Sequence, residues 1–173
     1  GEHAPVKVLD KVYISPLDFR SPENYIFMPQ WLMRTLDLKA NDLVDISFVR
    51  INLAGLVVFQ PCSFEWDDLM EGNEDPKTIL EHEVNKYSSL TAGSTIYIER
   101  RGVSYPLYVS ETRSELGVAV RGVRVQDSDV QVDIDRKILD EMIEQRDALL
   151  EEMRGEGYEE EEEEEDEDGD EEE

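Results

Sequence analysis

A single cysteine, Cys62, stands in 173 residues. An internal disulfide is therefore excluded, which fits a reducing compartment, cytosol or nucleus, and the thiol reads as packed rather than nucleophilic. There are only two histidines, His3 and His82. His3 belongs to a loose terminus, and His82, between Glu81 and Glu83, reads as a solvated residue on a helix surface. No Cys/His set has zinc spacing. Neither glycine-rich phosphate loop is present, nor is the G-x-S-x-G elbow. The Asp-Thr-Gly or Asp-Ser-Gly of an aspartic protease is missing too. These absences predict a protein that is not an enzyme, with no catalytic residue, no cofactor and no metal. No apolar run approaches the roughly 20 residues that cross a bilayer, and residues 1–10 do not read as a secretory leader. Membrane insertion is not expected.

Positive charge is also scarce, with 17 Lys and Arg against 43 Asp and Glu, a net charge of −26. From 159 to 173 every residue but Gly169 is acidic. Setting those 14 acids aside leaves 29 acids against 17 bases, so the preceding body is itself acidic. Such a surface repels a phosphate backbone, and a nucleic-acid partner is excluded. Basic protein partners fit it.

Apolar patterning predicts a mixed β protein with helices. Residues 12–14 and 25–28 are β-branched and aromatic and read as short strands, with a turn between them. Pro29 opens a helix whose apolar face is Leu32, Met33 and Leu36. Val44, Ile46 and Phe48 alternate with polar residues, the period of a half-buried strand. Leu56 to Phe59 form another strand, ended by Pro61. Residues 61–75 have no clear period and read as a connector. Asp75-Pro76 is a helix start, an N-cap followed by a proline at the first helical position. Ile79, Leu80, Val84 and Tyr87 mark that helix's inner face. Strands follow around Ile96 and Ile98, Leu107 and Val109, Val118 and Val120, and Val130, Val132 and Ile134. Asp127, Asp129, Asp133 and Asp135 superficially suggest a calcium loop, but the glycine such a loop needs at its sixth position is missing; they read as polar positions of a strand. From Asp135, a plausible cap, the period becomes helical through Met153. Gly155 and Gly157 are expected to stop this amphipathic helix, and the acidic run beyond is expected to be disordered.

Four segments, in order and at matching spacing, carry a resemblance. They are Phe27-Met28-Pro29-Gln30-Trp31-Leu32-Met33-Arg34-Thr35-Leu36, then Phe59-Gln60-Pro61 with Ser63, then Asp75-Pro76-Lys77-Thr78-Ile79-Leu80-Glu81 with Leu90-Thr91-Ala92-Gly93, and finally Tyr105-Pro106-Leu107-Tyr108-Val109-Ser110-Glu111-Thr112. Together they resemble the ubiquitin fusion degradation 1 family over residues 9–135. Ser94 and Arg113-Ser114 depart from the residues usual at those places. The resemblance implies a double-psi β-barrel in 1–61, shortened at its start relative to the family. A connector over 62–74, a small α/β subdomain over 75–135, a helix over 136–154 and a disordered acidic tail over 155–173 complete the expected division. It implies a non-enzymatic adaptor that binds polyubiquitin, working with an AAA ATPase segregase and that ATPase's partner adaptor in proteasomal degradation. Neither the short Phe/Gly/Leu motif that grips the ATPase nor the partner-binding tail is found in this sequence. The resemblance assigns no ubiquitin-contact residue; Pro29, Trp31, Pro76, Leu80 and Leu90 read first as turn, helix-start and core residues. The competing reading is an acidic-tailed, chaperone-like protein for basic partners such as histones.

Overall fold

The structure, a computed structural model, describes residues 8–72 and 74–165. The elements run α1 (Gln30–Thr35), β1 (Ala54–Pro61), α2 (Trp66–Met70), α3 (Pro76–Val84), β2 (Ser89–Thr91), β3 (Thr95–Arg100), β4 (Val103–Ser114), β5 (Gly122–Arg124), β6 (Gln131–Ile134) and α4 (Lys137–Glu165). Four strands make one sheet in the order β3-β4-β1-β6, and β2 and β5 make a separate pair. β4 runs antiparallel to both β3 and β1, whereas β6 runs parallel to β1.

Alternation explains the sheet. Val57 and Phe59 of β1, Ile96 and Ile98 of β3, and Tyr105, Leu107 and Val109 of β4 are all buried. Residues between them, such as Tyr97 and Glu99, face out. Ile79, Leu80 and Val84 of α3, Trp66 of α2 and Leu139 of α4 close the same core. Asp75 caps α3 as expected, its carboxylate accepting the Lys77 N–H at 3.2 Å, with Pro76 next in the chain. The β3–β4 hairpin turns through Arg101 and Gly102, both at positive φ, the conformation a two-residue turn demands. Pro106 sits inside β4 opposite Tyr97. A proline inside a sheet is placed where its missing N–H is not needed; its carbonyl accepts the Cys62 N–H at 3.1 Å. Gly55 lies at a register shift between β1 and β4. A Cβ there would come within 2.5 Å of the Ser114 carbonyl oxygen, so this bulge needs glycine.

Several expectations are corrected. The described residues form an open sheet and a two-stranded pair, with no closed barrel. Residues 12–14, 25–28 and 44–48 are in no strand. Period 2 marks a surface fit for pleating but supplies no neighbouring strand, and Ile46 and Phe48 are left exposed. Tyr13 is tied to the β2 residues through side chains, its N–H donating to Thr91 Oγ1 at 2.9 Å and its carbonyl accepting from Ser89 Oγ at 2.7 Å. Val118 and Val120 flank a single bridge between Arg113 and Ala119, and the strand lies further on, in β5. Within the stretch read as connector lies α2, whose Trp66 is in the core. Gly155 and Gly157 do not stop the last helix, which runs to Glu165 through residues expected to be disordered. Glycine weakens a helix interior by about 1 kcal/mol relative to alanine without ending it. Gly155 lacks the positive φ of a helix-terminating glycine. Residues 166–173 of the acidic run and His3 lie outside the described residues.

Candidate functional site

α1 carries Trp31, α3 leads out to Tyr87, and the edge strand β3 supplies Ile96 and Tyr97. These four side chains line a surface groove of about 200 Å³. Local structure sets each wall. α1 starts after the extended Pro29, and Thr35 Oγ1 donates back to the Trp31 carbonyl at 3.0 Å. The first turn after α3 is closed by the Tyr87 N–H donating to the Val84 carbonyl at 3.0 Å. The Tyr87 hydroxyl then donates to the Tyr97 carbonyl at 2.8 Å, which ties the loop to the sheet edge. Ile96 forms the buried floor, while Trp31 and Tyr97 stay 37% and 36% exposed.

Burial pushes the Tyr87 phenol up from its ordinary value, and the Glu83 and Glu99 carboxylates add to the rise. The phenol therefore keeps its proton at neutral pH and continues to donate. Glu83 is buried, with both its oxygens accepting from Lys86 Nζ, at 2.8 and 2.7 Å. Glu99 is exposed, and its carboxylate lies close enough to act on the Tyr87 phenol.

This groove is an apolar and aromatic recess with the exposed Glu99 carboxylate near it. Its volume is below the roughly 300–1,000 Å³ of small-molecule sites and suits one or two partner side chains. The second cavity, about 60 Å³ beside Leu69, Ile79 and Tyr105, has Arg100 engaged with Glu74 at its mouth. Among the described residues no three His, Cys, Asp or Glu side chains gather as a metal site, and no helix is long and apolar enough to cross a membrane.

The chemically suspect residues lie apart from the groove. Cys62 is buried, its Sγ donating to the Gln60 carbonyl at 3.2 Å, and burial pushes its thiol up. His82 is an exposed residue of α3. Asp133 pairs with Lys77 at 3.0 Å, and Asp135 accepts from Gln60 Nε2 at 2.7 Å and from the Lys137 N–H at 3.0 Å, capping α4. Asp127 sits in a turn at positive φ.

Of the family-pattern residues, Pro76 begins α3, and Leu80 and Leu90 are core. Trp31 departs from the core reading and stands in the groove. The groove joins positions 31, 87, 96 and 97, which no local pattern links. The one sequence signal was Tyr97, an aromatic residue at the outward position of a strand whose inward positions are Ile96 and Ile98.

A family model described as "Ubiquitin fusion degradation protein UFD1, N-terminal subdomain 2" matches residues 53–137, a span that includes β1 to β6 and three of the four groove residues. The chain is similar to "Ubiquitin fusion degradation protein 1" of Saccharomyces cerevisiae, 30% identical over 99 residues, 57% of this chain and 26% of that protein. It is similar to "Ubiquitin recognition factor in ER-associated degradation protein 1" of Homo sapiens, 30% identical over 119 residues, 69% of this chain and 36% of that protein. To "Ubiquitin fusion degradation protein 1 homolog" of Dictyostelium discoideum it is 27% identical over 123 residues, 71% and 34% of the two chains. The match thus spans only between 26% and 36% of the length of these relatives.

Proposed function

The chain belongs to the ubiquitin fusion degradation protein 1 family, and from that premise we propose that it is a non-enzymatic adaptor in ubiquitin-dependent protein degradation, ER-associated degradation included. It binds ubiquitin chains through the groove of Trp31, Tyr87, Ile96 and Tyr97. The observation that supports this reading is the groove itself: an apolar recess with two exposed aromatic walls and the exposed Glu99 carboxylate near it. Family resemblance describes the ubiquitin surface as a small apolar patch ringed by basic residues, and the two are complementary in polarity and sign. An interface of that size falls at the small, transient end of the range. One ubiquitin binds weakly, and several in one chain bind more tightly through effective concentration. An AAA ATPase segregase as the downstream partner, and cytosol or nucleus as the location, follow from family resemblance and from the lone cysteine.

A second reading, binding of basic proteins such as histones, is favoured by the acidic run at 159–173. Two variants separate them. Trp31→Ala with Tyr97→Ala removes both exposed groove walls and should raise the Kd for a four-unit ubiquitin chain about tenfold or more. Deleting 159–173 should leave that Kd unchanged and abolish histone binding. An unchanged Kd in the double variant, with its thermal unfolding intact, contradicts the groove assignment.

A further inference from the structure

α4 carries an apolar stripe that outlasts the body it packs on. Leu139 is fully buried and Ile143 packs against the core. One turn on, Arg146 lies over the exposed Phe64 ring, 4.8 Å from its centroid, and marks where the helix leaves the core. The same face then presents Leu149, Leu150 and Met153, which are 60%, 50% and 68% exposed. The spacing 139, 142, 146, 149, 153 is that of a helix–helix seam, with three or four residues between successive contacts. Glu144, Asp147, Glu151 and Glu152 occupy the flanks and back of this stretch, all exposed.

We propose that Leu149, Leu150 and Met153 form a docking stripe for a basic amphipathic helix of another protein. Charge selects this occupant over a second copy of the chain. A parallel pair of α4 helices would set two runs of glutamate side by side, and an antiparallel pair would lay each run on the acidic body of the other. A partner helix with Lys and Arg beside an apolar face meets neither penalty. It covers the leucines and methionine, and its cations meet the exposed Glu151 and Glu152 on the sides of the stripe, Asp147 being paired with Arg146 at 3.1 Å. The adaptable Met153 suits a partner of variable side-chain shape. The stripe shares no residue with the groove, so the two can be occupied together.

The test uses the full chain and two synthetic peptides of roughly 18 residues, long enough to be helical. One is a Leu/Lys peptide with its leucines on a single face, and the other has the same composition in scrambled order. The amphipathic peptide should bind about tenfold or more tightly than the scrambled one. Changing Leu149, Leu150 and Met153 to Ser should bring its affinity down to the scrambled level. Because all three are exposed, that variant keeps its thermal unfolding and its affinity for ubiquitin chains, so failure here is distinct from failure of the groove. Equal binding of both peptides would overturn the proposal, because charge alone would then explain binding. So would an unaffected triple variant. A dimeric chain that becomes monomeric on the triple substitution would also overturn it, since the stripe would then be a self-contact.

Discussion

Trp66 belongs to a helix of five residues, yet its indole is 1% exposed and meets the Tyr105 ring edge-on, with centroids 6.3 Å apart. A short helix has little stability of its own, so α2 is held by this side chain. Trp66→Ala should destabilise the fold by about 3–5 kcal/mol, the range for a buried aromatic truncation. Urea unfolding measures this, and a loss under about 1 kcal/mol would show that the site is not core. Asp133 offers a second test at this scale. The Lys77 ammonium, hydrogen-bonded to it, holds its carboxyl below the ordinary value of 3.8. A lowered carboxyl pKa stabilises the folded state above the ordinary value, and that contribution is lost as pH falls through the lowered one. Both groups are more than half exposed, so the stability effect is small and the titration is the better readout. Carbon-detected NMR should place the Asp133 midpoint below 3.8, and Lys77→Met should raise it. An unmoved midpoint in that variant would remove the pair from the account.

Elements differ in how much of their stability is local. α3 depends on its start. Asp75→Ala removes the acceptor for the Lys77 N–H and should cost about 1 kcal/mol. β1 depends on its neighbour. Gly55→Ala puts a methyl group against the Ser114 backbone and should destabilise by about 1–3 kcal/mol, the range for overpacking. The same contrast decides what could be read from sequence. α3 is legible because Asp75, Pro76, Ile79, Leu80 and Val84 lie within ten consecutive residues, although Tyr87, read onto the same face, falls beyond the helix; β3 and β4 are legible because Ile96, Ile98, Leu107 and Val109 alternate next to a two-residue turn. Val44, Ile46 and Phe48 alternate as clearly, yet pairing requires a partner strand, a non-local fact absent from their own pattern. The groove was illegible for the same reason. Trp31 reads as a core residue because its place in one groove with Tyr87 and Tyr97 depends on how α1 sits relative to β3.

Across the described residues, the groove and the acidic end of the chain lie at different edges of the sheet. The apolar groove sits beside the sheet edge at β3, whereas α4, which carries the acids of 159–165, follows β6 at the opposite sheet edge. The acidic body should speed encounter with a basic-ringed partner, so added salt should slow association with ubiquitin chains more than it hastens dissociation. Stopped-flow kinetics at low and high salt would show this, and an effect confined to dissociation would contradict it. Groups far apart and without shared partners act independently, so the groove should work without the tail. The most direct test is NMR titration of the isotopically labelled chain, with and without residues 159–173, against ubiquitin and a four-unit ubiquitin chain. The account predicts shifts at the Trp31 indole, Tyr87, Ile96 and Tyr97, tighter binding of the longer chain, and the same shifts after the tail is removed. No contiguous shifted surface at about 1 mM ubiquitin, where even an affinity of about −4 kcal/mol would register, or shifts that vanish with the tail, would contradict it.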